Sequence, residues 1–183
     1  MTQTLSWGVL VGEMLARRMA ISRLAPAMFP ETLPGPRAGD ADLAAAVDRL
    51  GFRLDPHHEA VLREGDGWPD VFAYGDVLAT HDLGAGARWK RAGALLAGYY
   101  EDGPATGCPP RDRIYPIHVA DNAVFVIDRS GPITDGGQPV FGLSGELLGE
   151  WPNVYEYWLA GLTMLERLGA RVAADVREGR IYF

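Results

Sequence analysis

The chain has 183 residues, about the length of one domain. Its composition, 48% apolar and 22% charged, is that of an ordinary globular protein and excludes a disordered, collagen-like or disulfide-rich chain. Its single cysteine, Cys108, excludes an intrachain disulfide and a zinc site built on paired cysteines, and its net charge of −7 argues against nucleic acid, which binds cationic surfaces.

The first 39 residues predict a helix followed by an extended strap. Apolar residues recur at near-helical spacing over residues 5–24, which indicates a helix. Residues 25–39 contain four prolines and two glycines, which favour an extended connection. We therefore divide the chain into an N-terminal helical arm, residues 1–39, and one domain, residues 40–183. The arm packs on the domain, mediates a dimer or contacts a partner, and the sequence leaves these three alternatives open.

Two further helices are predicted from their end signals. Asp40 is a candidate N-cap for a helix that Gly51 ends. Asp55, with proline at the next position, predicts the start of a second helix that runs to about Glu64. The next segments, 76–81 and 87–100, are predicted as short helices or loops, and residues 103–110 as a loop.

Strand signals concentrate in the third quarter of the chain. Segments 113–119 and 123–127 are rich in β-branched and aromatic residues and flank Asp121-Asn122, a pattern that predicts an antiparallel hairpin. A third strand is predicted near residues 140–143 and a short fourth strand at 146–148.

A long closing helix completes the pattern. Asn153 is its candidate N-cap, Gly169 is predicted to end or kink it, and residues 171–178 are a candidate continuation. Helices, then strands, then a closing helix predict an α+β fold with a small, largely antiparallel sheet packed by helices.

Charge and hydropathy indicate where the protein works and what it binds. Residues 40–118 carry a net charge of −5 and residues 119–183 carry −4, against +2 for the arm. An acidic body attracts cationic ligands or basic protein surfaces. The apolar stretch 5–15 follows no Lys or Arg and is interrupted by Glu13, so it predicts neither a secretory signal nor a membrane span. We expect a cytoplasmic protein with no membrane or nucleic-acid partner.

The residues that could carry chemistry do not form a known catalytic or metal-binding motif. His57 and His58 are adjacent, so on a helix they point about 100° apart and lack the zincin spacing. His81 and His118 are isolated in sequence, and the loop of Cys108 has no helix N-terminus to activate a thiol. We therefore expect no enzymatic activity, metal or cofactor. A hydrolase that uses Cys108 or a histidine–carboxylate pair is kept as a third hypothesis.

One pattern in the first half of the domain indicates a family. Leu50-Gly51-Phe52-Arg53-Leu54-Asp55-Pro56 joins two predicted helices, and Asp66-Gly67-Trp68 follows the second. This pattern resembles the SUKH superfamily, which includes bacterial immunity proteins and fungal cell-wall-assembly regulators. The strand at 114–117 and the helix at 151–168 also look like the family's central hairpin and closing helix. The chain departs from the family at Asp55-Pro56, where Pro-x-Asp/Glu-Tyr is commoner, and in the arm, which the minimal domain lacks.

The resemblance implies a SUKH-like fold and a non-catalytic immunity protein that binds and neutralises a cognate bacterial toxin. The acidic charge favours a toxin with a basic active-site cleft, which this protein would occlude. The alternative is a regulatory or scaffold protein of the same fold that binds an endogenous partner. We expect a monomer or a weak homodimer.

The candidate partner-binding residues are acidic and aromatic residues of predicted loops. Carboxylates supply charge complementarity, while Tyr and Trp supply rigid contact area. For each of them the alternative is a solvated charge or a core aromatic, and Trp68 in particular is a candidate core anchor. The candidates are Asp66, Trp68, Asp70, Tyr99, Tyr100, Glu101, Asp102 and Asp121.

Overall fold

The computed structural model describes residues 5–72, 75–101, 103–104 and 106–180. Within these ranges five α-helices and one five-stranded antiparallel sheet form the α+β fold that the sequence predicts. The helices are α1 (Trp7–Leu24), α2 (Asp40–Leu50), α3 (Pro56–Leu62), α4 (Gly86–Glu101) and α5 (Val154–Arg177). The strands are β1 (Gly75–Val77), β2 (Ile114–Ala120), β3 (Val124–Asp128), β4 (Val140–Leu143) and β5 (Leu147–Trp151).

The sheet is a simple meander in which each strand pairs with the next one along the chain, in the order β1-β2-β3-β4-β5. The predicted hairpin is confirmed as β2 and β3, with Tyr115 opposite Ile127 and Val119 opposite Val124. The fourth predicted strand is longer than expected, since β5 continues to Trp151 and pairs with β4 along its length.

The middle of the chain differs from the prediction. Residues 76–81 were expected to be helix or loop, but Asp76 and Val77 lie in β1, opposite Val119 and His118 of β2. This short strand depends on pairing with a distant segment, which local propensity does not report. The second ambiguous segment is one helix, α4, of 16 residues.

The helix starts are set by side-chain caps. Asp55 caps α3 as predicted, with its Oδ1 accepting hydrogen bonds from the backbone N–H groups of His57 (2.9 Å) and His58 (3.1 Å). The cap of α2 lies one residue earlier than predicted. Gly39 precedes the helix and donates its N–H to the Asp42 carboxylate at 2.9 Å, so Asp40 is the first helical residue.

The long closing helix α5 runs without a break through Gly169, where the sequence predicted an end or a kink. The helix continues because α1 lies alongside it, and a Cβ at Gly169 would be 3.4 Å from Ile21 of α1. Leu10 and Met14 of α1 are fully buried in the common core. Of the three alternatives for the arm, packing on the domain is therefore observed for α1.

Helices cover both faces of the sheet. On one face Leu143 lies beside Tyr99 and Tyr100 of α4. On the other face His118 lies opposite Phe125 and is hydrogen-bonded to Tyr157 of α5. Strands buried on both faces carry apolar residues at nearly every position, as β2 and β4 do here.

Among the helices of the described residues, none combines the length and the apolar character that crossing a bilayer requires.

Candidate functional site

Two of the predicted binding residues, Asp66 and Trp68, hold the loop between α3 and β1 in place. The Asp66 carboxylate accepts hydrogen bonds from the backbone N–H and the hydroxyl of Thr80, both at 2.6 Å. Trp68 is 1% exposed, its backbone pairs with Val77 of β1, and its indole N–H donates to Thr32 at 3.3 Å. Trp68 is therefore a core anchor and does not present its ring to a partner, which corrects its placement among the surface candidates.

Asp70 lies in the same loop and is held mainly through its backbone. Its carbonyl accepts a hydrogen bond from Arg18 Nε of α1 at 3.1 Å, and its N–H donates to the Asp76 carboxylate at 3.1 Å. The Arg18 side chain is buried, and this burial lowers its pKa, which the nearby Asp70 carboxylate partly opposes. Asp70 thus connects α1 to the edge of the sheet.

The other described candidates lie around the end of α4 and the β2–β3 turn. The hydroxyl of Tyr99 donates to the Asn122 carbonyl, and that of Tyr100 donates to the Pro109 carbonyl at 2.6 Å. Asp121 is exposed and forms an ion pair with Arg91 at 2.8 Å. Glu101 is exposed at the last position of α4, and Asp102 lies outside the described residues. The described candidates therefore lie in two parts of the fold, and α4 connects them, because its Arg88 pairs with Asp76, which binds the Asp70 N–H, and its Arg91 pairs with Asp121.

The chemically versatile residues are also dispersed. His58 is buried on α3 beside the Tyr115 hydroxyl (3.2 Å), and burial lowers its pKa to about 3. Cys108 lies near Tyr100 and Leu143, on the opposite face of the sheet from His118. Within the described ranges, no three His, Cys, Asp or Glu side chains lie together in an arrangement suited to a metal ion.

A groove between the sheet and α5 has a mainly apolar lining, and it was not predicted from the sequence. It encloses about 290 Å³. One side consists of Leu148 and Trp151 of β5, and the opposite side of Ala160, Gly161 and Met164 of α5. Leu148 and Met164 are 49% and 38% exposed, so two large apolar side chains border solvent.

The floor of the groove is aromatic. His118 stacks on Phe125 with ring centroids 4.7 Å apart and planes 12° apart, and Phe72 contacts His118 and Tyr157. His118 Nδ1 and the Tyr157 hydroxyl share a hydrogen bond of 2.6 Å. Burial lowers the pKa of His118 to about 4, which the Asp76 carboxylate partly opposes, and burial raises the pKa of Tyr157. Both groups are thus neutral at pH 7 and hydrogen-bonded to each other, so the floor of the groove is uncharged.

An irregularity in the β4–β5 pairing directs Leu148 into the groove. Gly142 lies opposite Gly149 and Leu143 opposite Leu147, so Leu148 is the extra residue of a β-bulge. A bulge re-aims side chains and bends its strand. Leu148 thereby faces the same side of the sheet as Phe125, beside Gly142.

The sequence contains one signal for this surface. Residues 130–166 hold five acidic residues and no Lys, Arg or His. This segment forms β4, β5 and the first half of α5, and therefore both sides of the groove. All five carboxylate residues are exposed, and within the described chain only Glu166 has an ion-pair partner, Arg17 at 3.5 Å.

In comparisons with known proteins, no protein-family model matches this chain and no curated protein matches it.

Proposed function

We propose that this chain is a non-catalytic immunity protein of the SUKH type, which binds a cognate bacterial toxin and covers that toxin's basic active-site cleft. The resemblance over residues 40–168 and the net charge of −7 support this proposal. The observation that carries it is the apolar groove between β5 and α5, because the segment that forms both of its sides, residues 130–166, contains five exposed acidic residues and no basic residue.

An apolar groove in an acidic protein suits a partner that combines a large apolar side chain with basic residues nearby. Opposite charges speed the encounter of two proteins, while buried aromatic and aliphatic contacts slow their separation. Interface hot spots are typically large side chains that fill desolvated pockets. Covering a cleft requires no chemical step from this chain. The polar clusters around Asp55 and Asp66 then have the structural task of holding loops in place.

The test is a calorimetric titration of the full-length chain with the protein encoded by the adjacent gene. We expect one-to-one binding with a nanomolar Kd, and loss of that protein's toxicity when the two are co-expressed. An unrelated acidic protein of similar net charge is the control, because it shares the charge but not the groove. Absence of binding, or binding that leaves the toxicity intact, overturns the proposal. Binding that leaves the toxicity intact favours a regulatory protein of the same fold.

A further inference from the structure

The two edges of the sheet are different. At the β1 edge, Val77 and Trp68 exchange two backbone hydrogen bonds, 2.9 and 3.1 Å long, so the chain itself covers that edge. At the other edge, β5 has β4 as its sole strand neighbour in the described part of the chain. An uncovered edge strand presents backbone N–H and C=O groups that pair readily with an added strand.

The open edge adjoins the apolar groove. Leu148 and Trp151 belong both to β5 and to the groove's side. Directly opposite residues on one face of paired strands lie about 4.5–5.5 Å apart, so alternate side chains of an added strand would reach the groove mouth beside them. The volume of the groove, about 290 Å³, is at the lower end of the range for ligand clefts, which is roughly 300–1,000 Å³. It suits side chains of a peptide segment.

Charge distinguishes between possible occupants. Two copies of this chain paired through β5 would bring together Glu150 of β5, and Glu146 just before it, from each copy. Like charges across a strand pair are destabilising. Glu150, exposed on β5, and the bulge at Leu148 are also features that natural edge strands use against self-pairing. A segment rich in Lys or Arg has the complementary charge.

We propose that β5 is a docking edge for an extended basic segment of a partner protein, which adds to the sheet as a sixth strand and places a large apolar side chain in the groove between β5 and α5. This inference rests on the proposed function, in that the segment would belong to the toxin, but it can be tested without the toxin.

The probes are nine-residue peptides that alternate lysine with valine and carry leucine, methionine or phenylalanine at the centre. We expect at least one to bind the full-length chain with a micromolar Kd, and to slow hydrogen exchange at the amides of Leu148–Trp151, since these would become hydrogen-bonded. A version with glutamate in place of lysine, and a version N-methylated along one backbone edge, should each bind at least tenfold more weakly.

Matched variants locate the site. Leu148→Lys with Met164→Lys places two positive charges at the groove rim and should weaken peptide binding at least tenfold. Val9→Lys with Leu33→Lys makes the same chemical change at apolar positions 49% and 60% exposed but outside the groove, and should change binding less than twofold. Equal melting temperatures for the two double variants confirm that both fold.

Three results with the peptides would overturn the inference: no binding by any of them, equal binding of the glutamate peptide, or binding without protection of β5. A wild-type dimer that dissociates in the Leu148→Lys/Met164→Lys variant would also overturn it, because the occupant would then be a second copy. Peptide binding without binding of the adjacent gene's product supports the docking edge and removes the immunity function. If the toxin binds and Leu148→Lys/Met164→Lys does not affect that binding, the immunity function is supported and the docking edge is overturned.

Discussion

At the scale of single residues, most buried polar groups have an internal partner that explains them. The Asp55 carboxylate caps α3 through one oxygen and accepts the Gln138 N–H at 2.7 Å through the other. Asp66 is bound to Thr80 in the same way. A buried polar group without a hydrogen bond costs about 1–3 kcal/mol, roughly twice what a satisfied one contributes. Both carboxylates are therefore explained as parts of the structure, although Asp66 was also a candidate for a binding surface.

His118 gives a prediction about stability and pH. Its pKa is about 4 in the folded protein and about 6.5 when unfolded. Between these values the unfolded chain binds a proton that the folded chain does not, so stability decreases as the pH falls from about 6.5 to about 4. The slope is roughly 1.4 kcal/mol per pH unit for one such histidine.

Replacement of His118 by Phe together with Tyr157 by Phe should remove this contribution of His118 to the slope of stability against pH. The double substitution removes both hydrogen-bonding partners and keeps the aromatic packing. Urea unfolding between pH 7 and pH 4 measures the difference. His81→Gln, at an exposed position, is the control. If the double variant kept the full slope of the wild type, His118 would not be the responsible group.

At the scale of secondary-structure elements, α5 shows how glycine can have opposite roles in one helix. Gly161 lies where the Phe72 ring packs directly against the helix backbone, so a Cβ there would overlap the ring. Gly169 faces Ile21 of α1 at an ordinary contact distance of 3.4 Å from an added Cβ. Gly161 permits the Phe72 ring to approach the helix closely at the groove. Gly169 is tolerated because tertiary packing holds the helix straight.

The substitutions Gly161→Ala and Gly169→Ala should therefore have opposite effects. Gly169→Ala should stabilise the protein by up to about 1 kcal/mol, because alanine favours helix more than glycine. Gly161→Ala has the same local advantage, but we expect a net loss of about 1–3 kcal/mol from overpacking against Phe72. Midpoints of urea unfolding give both values. Equal effects of the two substitutions would mean that Phe72 moves away without cost.

At the scale of the whole molecule, the net charge of −7 is unevenly distributed. Several basic residues form exposed ion pairs with carboxylates, as Arg63 does with Asp40 and Glu59. Such pairs add little stability. The segment 130–166 has no basic residue of its own. Among the described residues, four of its five exposed carboxylates have no ion-pair partner, and under the proposed function these charges would steer a cationic partner.

This distribution predicts how association with the adjacent gene's product depends on charge. Glu146→Lys with Glu150→Lys should lower the association rate constant about tenfold at low ionic strength and change the dissociation rate less than twofold. Glu31→Lys with Asp48→Lys changes the net charge equally at two exposed positions outside this segment and should have a smaller effect. Stopped-flow measurements at low and moderate salt separate the two variants. Equal effects would mean that net charge alone steers the encounter.

Several elements could be predicted because their signals are local. Asp55 and Pro56 mark the start of α3, Asn153 caps α5, and Asp121-Asn122 separates the two strands of the central hairpin. A cap or a turn depends on residues within about four positions of each other, so its chemistry can be read from the chain directly. The net charge and the α+β class also followed from the sequence, since each is a property of residue types and of their order.

Only the tertiary structure determined which residues share a surface. The strand β1 exists because Asp76 and Val77 pair with residues more than 40 positions away, and Trp68 is buried because it packs in the core beside that strand. The groove combines Phe72, Phe125, Leu148 and Met164, which are apolar residues with no common motif. Hydrophobic burial is non-directional and joins distant segments, and therefore a linear pattern indicates that such residues will be buried but not which of them will meet.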